Sequence, residues 1–143
     1  MDTRAREQLL ADLNVDLAGE FQAVIMYRLY ASMVQGPYRQ ELRAFFASEI
    51  PDELHHAQVL ADKIAALGGT PTAIPTPVIV VAEAKAMVKT ALDAEVATIE
   101  RYIKRRAQAE AAGEAGLAAE FDTVLVDESK HRDELRQTLA SWP

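Results

Sequence analysis

Apolar residues recur at spacings of three and four along four stretches of the chain, roughly 4–34, 39–67, 81–111 and 114–140. That period predicts four amphipathic helices. Gln35-Gly36-Pro37 separates the first two, the glycine closing one helix and the proline opening the next, and Ala112-Gly113 plays a weaker version of the same part later on. Both connections are short, so each pair of helices reads as an antiparallel hairpin. The stretch between the hairpins, about 68–80, is different. Gly68-Gly69-Thr70-Pro71-Thr72-Ala73-Ile74-Pro75-Thr76-Pro77 cannot be helical, and Val78-Ile79-Val80-Val81 suits extended backbone. A dozen extended residues span about 40 Å, the length of a helix of about 27 residues. The segment can therefore cross the full length of a bundle, which sets the third helix parallel to the second. The expectation is an all-α four-helix bundle with one long crossover, forming one domain over residues 1–143.

Composition narrows the chemistry. Half of the 143 residues are hydrophobic and only 6% are aromatic, which suits helices packed on helices. Asp+Glu number 22 against Lys+Arg 15, and the net charge of −7 argues against a nucleic-acid partner and favours cations. The chain has no cysteine, which excludes disulfides, thiolate zinc sites, iron–sulfur clusters and a cysteine nucleophile together. Any metal must bind oxygen and nitrogen. MDTRAREQLL has no apolar stretch of the kind a secretory signal carries, and no run reaches the roughly 18 apolar residues of a membrane span. A cytoplasmic protein with no membrane partner is the expectation.

The two halves repeat. Adding 75 to a first-half position aligns Glu20 with Glu95, Tyr27 with Tyr102, Asp52 with Asp127, Glu53 with Glu128 and His56 with His131. Leu17 with Leu92, Leu42 with Leu117, Phe46 with Phe121 and Leu60 with Leu135 match at the same offset, so a duplicated helical hairpin explains the whole set. Glu20 and Glu53 are symmetric about the Gly36-Pro37 turn, and Glu95 and Glu128 about Ala111-Ala112-Gly113. The four carboxylates therefore lie at one height. His56 and His131 follow their glutamates by three residues, on the same face one turn along.

These residues interrupt apolar stripes. Glu20 continues Leu13, Leu17, Val24 and Tyr27; Glu53 interrupts Phe46, Ile50 and Leu60; Glu95 sits between Leu92 and Ile99; Glu128 follows Phe121 and Leu125. Burying four unpaired anions costs several kcal/mol each even after relaxation, and two histidines cannot offset that. Two divalent cations can, so the set reads as a metal site. A single Glu-x-x-His is more often a helix-surface pair. Two copies in one register, each with a further glutamate and a tyrosine, are hard to reach by chance. Iron, manganese and zinc all accept such ligands, so the residue types alone leave the metal open.

Glu20, then Glu53-x-x-His56, then Glu95, then Glu128-x-x-His131, resembles the di-iron carboxylate signature of ferritin-like proteins, with spacing closest to bacterioferritins. The resemblance covers nearly the whole chain. It implies two iron ions, with Glu20 and Glu95 as terminal ligands of separate ions, Glu53 and Glu128 bridging them, and His56 and His131 each completing one. It also implies a ferroxidase that oxidises Fe(II) with O2 or H2O2 for iron storage or detoxification. Bacterioferritins carry a haem-ligating methionine directly after the first bridging glutamate. Here that position is Leu54, and no haem is expected. The chain ends at Pro143, twelve residues after His131, so the short fifth helix of large ferritin shells is not expected either.

Two other classes compete. A peroxidase like rubrerythrin shares the fold, but it normally adds a carboxylate one turn from the third-helix ligand and a cysteine-ligated iron module. Leu92 and Thr98 flank Glu95 here, and cysteine is absent. The other is a metal-free helical interaction protein with its buried carboxylates held protonated.

Several further residues complete the reading. Tyr27 and Tyr102, two turns beyond Glu20 and Glu95, are within reach of a ligand carboxylate. His55 is turned about 100° from His56 and belongs on the surface. A metal-bound histidine ordinarily donates its other ring N–H to a carboxylate; Asp52 and Asp127 are placed to serve the opposite hairpin, Asp52 with His131 and Asp127 with His56. Helix one is apolar on more than its core face, with Phe21, Ile25, Met26, Tyr30 and Met33, whereas the matching third helix carries Glu100, Arg101, Lys104 and Arg105. The first hairpin, helices one and two, is thus expected to form a homo-oligomer contact.

Overall fold

The computed structural model describes residues 1–143. Four α-helices account for the ordered elements: α1 (Thr3–Met33), α2 (Arg39–Ala66), α3 (Ala84–Ala111) and α4 (Ala115–Ala140). None is long and apolar enough to cross a membrane. Asp2 caps α1 by accepting the Ala5 N–H at 2.7 Å. The two hairpin turns rest on Gly36 at φ 105° and Gly113 at φ 80°, left-handed conformations that side chains with a Cβ rarely adopt. Pro51 sits inside α2 on its exposed side, and the Ala47 carbonyl loses its helical donor two residues before Glu53.

Side-chain pairs between α1 and α3 show the helix directions. Asp12 meets Gln108, Asp16 meets Arg105, Glu20 meets Tyr102 and Tyr27 meets Glu95, so residue numbers rise along one helix as they fall along the other. With both hairpins antiparallel, α3 is parallel to α2, as a one-crossover ferritin-like bundle requires. The crossover lies along α1. Asn14 binds it twice, donating to the Thr70 carbonyl at 3.1 Å and accepting the Thr72 N–H at 2.8 Å. Further along, Thr76 N–H donates to the Ala18 carbonyl, Gln22 to the Pro77 carbonyl, and the Tyr30 hydroxyl to the Ile79 carbonyl.

Two details differ from the sequence expectation. α3 starts at Ala84, not at 81, because Val78 and Val81 stay extended and pack their side chains into the core beside it; β-branched residues give up little by leaving a helix. The second apolar face of α1 is also narrower than expected. Met26 and Tyr30 are buried within the chain, Tyr30 beneath the crossover, which leaves Ile25 at 38% and Met33 at 37% exposure, with Phe21 half-buried.

The apolar core has two parts, one at each end of the bundle. Leu9, Leu13, Leu17, Leu60, Ile64 and Phe121 belong to one, and Tyr30, Phe46, Met87, Val88 and Leu135 to the other. The layer between them is ionisable.

Candidate metal centre

Every helix sends a glutamate into the middle layer, Glu20 from α1, Glu53 from α2, Glu95 from α3 and Glu128 from α4, all buried. His56 and His131 join from α2 and α4, one turn beyond their glutamates, and are buried too. His56 Nδ1 lies 3.1 Å from Glu128, 3.7 Å from Glu20 and 3.8 Å from Glu53. His131 Nδ1 lies 3.2 Å from Glu53, 3.5 Å from Glu95 and 3.6 Å from Glu128. Glu53 and Glu128 thus approach both rings, Glu20 only His56, and Glu95 only His131.

The outer atoms of the same residues are engaged. Tyr27 donates its hydroxyl to Glu95 Oε1 at 2.6 Å, and Tyr102 donates to Glu20 Oε1. Each tyrosine comes from the other hairpin. His56 Nε2 is 3.0 Å from Asp127 Oδ2, and His131 Nε2 is 3.0 Å from Asp52 Oδ2, again across hairpins. Asp127 and Asp52 are 33% and 51% exposed, so each links a buried ring to solvent. His55 lies outside on the α2 surface, as does Leu54.

Glu20 Oε2, Glu53 Oε1, His56 Nδ1, Glu95 Oε2, Glu128 Oε1 and His131 Nδ1 are all buried without a hydrogen-bond partner. Glu49 Oε2, in the same layer, is buried without one as well, and a folded chain does not normally strand so many such atoms together. The first six are lone-pair atoms of side chains able to hold a metal, and Glu20 and Glu95 each offer the oxygen that their tyrosine leaves free. Single ligand atoms of Glu20, Glu53, His56 and Glu128 fall within 4.8 Å of one another, as do those of Glu49, Glu53, Glu95 and His131. The donor set, oxygen with two imidazole nitrogens, fits iron, manganese or zinc.

In the bare chain protons take up part of the charge. Burial, and then the charge of Glu53, pushes Glu20 well above the usual carboxyl range. Glu128 is raised in the same way, by burial and then by Glu53 and Glu95. Burial acts upward on Glu53 as well, but the Glu20 carboxyl and the His131 and His56 rings around it hold it low. Burial disfavours the imidazolium of His56 and His131, yet the carboxylates facing each ring outweigh it and raise both. Burial, and then Glu95 or Glu20, keeps Tyr27 and Tyr102 protonated.

Two buried carboxylates are additions to the sequence reading. Glu49 stands 2.6 Å from His131 Nε2, on the far side of the ring from Nδ1. Asp16 is fully buried and held by Arg105, whose Nε donates at 2.7 Å, with Arg101 Nε 3.5 Å away. Both carry a signal that the spacing offers. Each lies one helical turn before a buried glutamate, Glu53 and Glu20 respectively. Neither recurs at an offset of 75, where Val124 and Ala91 stand, so the repeat does not pick them out.

A family profile described as the ferritin-like domain matches residues 10–143. The solved structure of a ferritin-like, diiron-carboxylate protein from Bacillus anthracis strain Ames is 43% identical, covering 97% of this chain and 99% of that one with a TM-score of 0.93. A Dps protein from Bacillus brevis shares the fold at 20% identity, over 97% of this chain and 99% of that one, with a TM-score of 0.89. A dodecameric thioferritin from Bacteroides fragilis, related to bacterioferritin, does so at 23% identity, over 94% and 86%, with a TM-score of 0.83. No curated protein sequence matches. With its family profile spanning the bundle and a 43% identical relative along nearly its whole length, the chain belongs to the ferritin-like family.

Proposed function

We propose that the chain is a ferroxidase that binds two Fe(II) ions in the ionisable layer and oxidises them, in the service of iron storage or detoxification. The observation that carries this reading is the set of six buried, partnerless ligand atoms on Glu20, Glu53, His56, Glu95, Glu128 and His131. On this reading Glu20 and His56 hold one ion, Glu95 and His131 the other, and Glu53 and Glu128 bridge. The approach of Glu53 and Glu128 to both Nδ1 atoms supports the bridging role. That Glu49 faces Nε2 of His131, not Nδ1, supports reading it as a partner behind the ring and Glu128 as the shared ligand. Two Fe(II) supply two electrons to one dioxygen, which takes up two protons and leaves as hydrogen peroxide; with peroxide as oxidant the same two electrons and two protons yield two waters. The chain's own residues hold the ions adjacent, keep the terminal carboxylates oriented through Tyr27 and Tyr102, and give ligand protons a way out through Asp52 and Asp127. On this reading the protein acts in the cytoplasm.

The test is anaerobic Fe(II) titration followed by admission of oxidant. Two equivalents per chain are expected. Glu20→Ala or Glu95→Ala should weaken one equivalent, and Glu53→Ala or Glu128→Ala both. The same single loss in all four variants would show the bridging assignment to be wrong. The raised carboxyls of Glu20 and Glu128 favour one second reading, a metal-free bundle with protonated glutamates. Absence of stoichiometric metal after Fe(II) addition would favour it and sink the ferroxidase.

A further inference from the structure

The pseudo-twofold that relates the halves is broken beside the two histidines. His131 has Glu49 against its Nε2. The position equivalent to Glu49 beside His56 is Val124, and there the packing leaves a narrow apolar cavity with space for about one water-sized molecule. Leu60, Leu117, Phe121 and Val124 wall it, between α2 and α4. The exposed Glu120 stands at its mouth, where the other half has Phe45 turned against the core. The His56 ring forms its inner end, beside the ring of Tyr102, and the polar atoms of both point elsewhere: Nδ1 to the carboxylates, Nε2 to Asp127, and the tyrosine hydroxyl to Glu20.

We propose that this cavity admits dioxygen to the metal centre from the His56 side, which makes dioxygen and not hydrogen peroxide the oxidant the fold is built to use. The proposal rests on the ferroxidase reading. A cavity of this kind stays dry and takes apolar guests, because a water or a peroxide inside it finds too few polar partners to replace its hydrogen bonds. Fe(II) is excluded for the same reason and more strongly. A guest there is one side chain from the ions, so the apolar route brings the oxidant close while the carboxylate layer stays closed to bulk water.

The cavity is tested first on the metal-free, full-length protein under raised oxygen pressure, by the paramagnetic relaxation of its methyl groups. Enhancement at Val124, Leu60 and Leu117 several-fold above that at Leu9 and Leu135, which are fully buried in the two apolar clusters, is expected; equal enhancement overturns the proposal. The second arm is Val124→Phe, which fills the space. Oxidation of Fe(II) by limiting dioxygen should slow several-fold, with the Fe(II) stoichiometry and the rate with hydrogen peroxide unchanged. An equal loss with both oxidants, or none with dioxygen, overturns it. If the parent protein binds no Fe(II) the ferroxidase reading falls, whereas the gas measurement decides the cavity without metal.

Discussion

At the scale of single residues, the second nitrogen of each histidine is a point of control. A ring that presents Nδ1 to a cation needs its proton on Nε2, and the carboxylates 3.0 Å away, Asp127 for His56 and Asp52 for His131, hold it there. They come from the opposite hairpin, so each pair also ties the two halves together. Asp127→Ala removes no ligand. It should nonetheless lower metal affinity about 10- to 100-fold, the usual cost of losing such a partner. Competition titration with a chelator measures this, and an unchanged affinity would show that the ring is oriented by packing alone. For His131 the effect of Asp52→Ala should be smaller, since Glu49 remains 2.6 Å from the same nitrogen.

At the scale of elements, the α1–α3 contact has two unlike ends built from equivalent positions. At one end Asp12, Asp16, Arg101 and Arg105 form an ion network, in which Arg105 reaches Asp12 at 3.4 Å and Asp16 at 2.7 Å. The matching positions at the other end are Met87, Ala91, Met26 and Tyr30, all buried in apolar packing. A duplicated hairpin thus solved one interface twice, once with charge and once without. Removing one member of a buried ion pair typically costs 3–5 kcal/mol. Arg105 keeps Asp12, so Asp16→Ala is expected at the lower end, about 3 kcal/mol, read from the denaturant midpoint. Combining Asp16→Ala with Arg105→Tyr copies the apolar end and should recover much of that loss. A single variant as stable as the parent would show that the network is hydrated and of little weight.

For the whole molecule, the proposed metal site sets protons and cations in competition for one layer, and the sign of the pH dependence follows. Glu20 and Glu128 are raised, so above the ordinary 4.5 the folded bare chain binds more protons than the unfolded one and loses stability as pH rises. His56 and His131 are raised above 6.5 and act the same way: their contribution is complete below that value and is lost as pH rises through the folded one. Glu53, lowered, acts oppositely, and its contribution is lost only as pH falls below 4.5. Cations displace the protons of the raised groups. The rise in melting temperature that Mn(II) produces should therefore be larger at about pH 7.5 than at about pH 5.5. Calorimetry at the two values checks it, and a larger shift at the lower pH would mean that binding does not release protons. Assembly belongs to this scale too. Ile25 and Met33 remain exposed on α1 and Leu54 on α2, so a homo-oligomer through the first hairpin is still the expected state. Light scattering at micromolar concentration should give more than one chain, and a monomer would refute it.

The period of the apolar residues and the offset of 75 were enough to place four helices, two hairpins and the crossover, and to set six ligand-type side chains at one height. A helix converts sequence spacing directly into face and level, and a turn at the midpoint of two residues brings them opposite one another. What covers a face is another matter, because it depends on segments distant in sequence. Met26 and Tyr30 look like contact residues for another subunit until the crossover lies over α1. Arg101 and Arg105 look like solvated charges until α3 brings them against Asp16, whose burial no local pattern requires. Glu49 and Val124 occupy equivalent positions, yet only three-dimensional packing shows that one puts a carboxylate behind a histidine and the other leaves a cavity. Periodicity is a property of the backbone and can be read from one strand of text; burial is a property of neighbours and exists only once the chain has closed on itself.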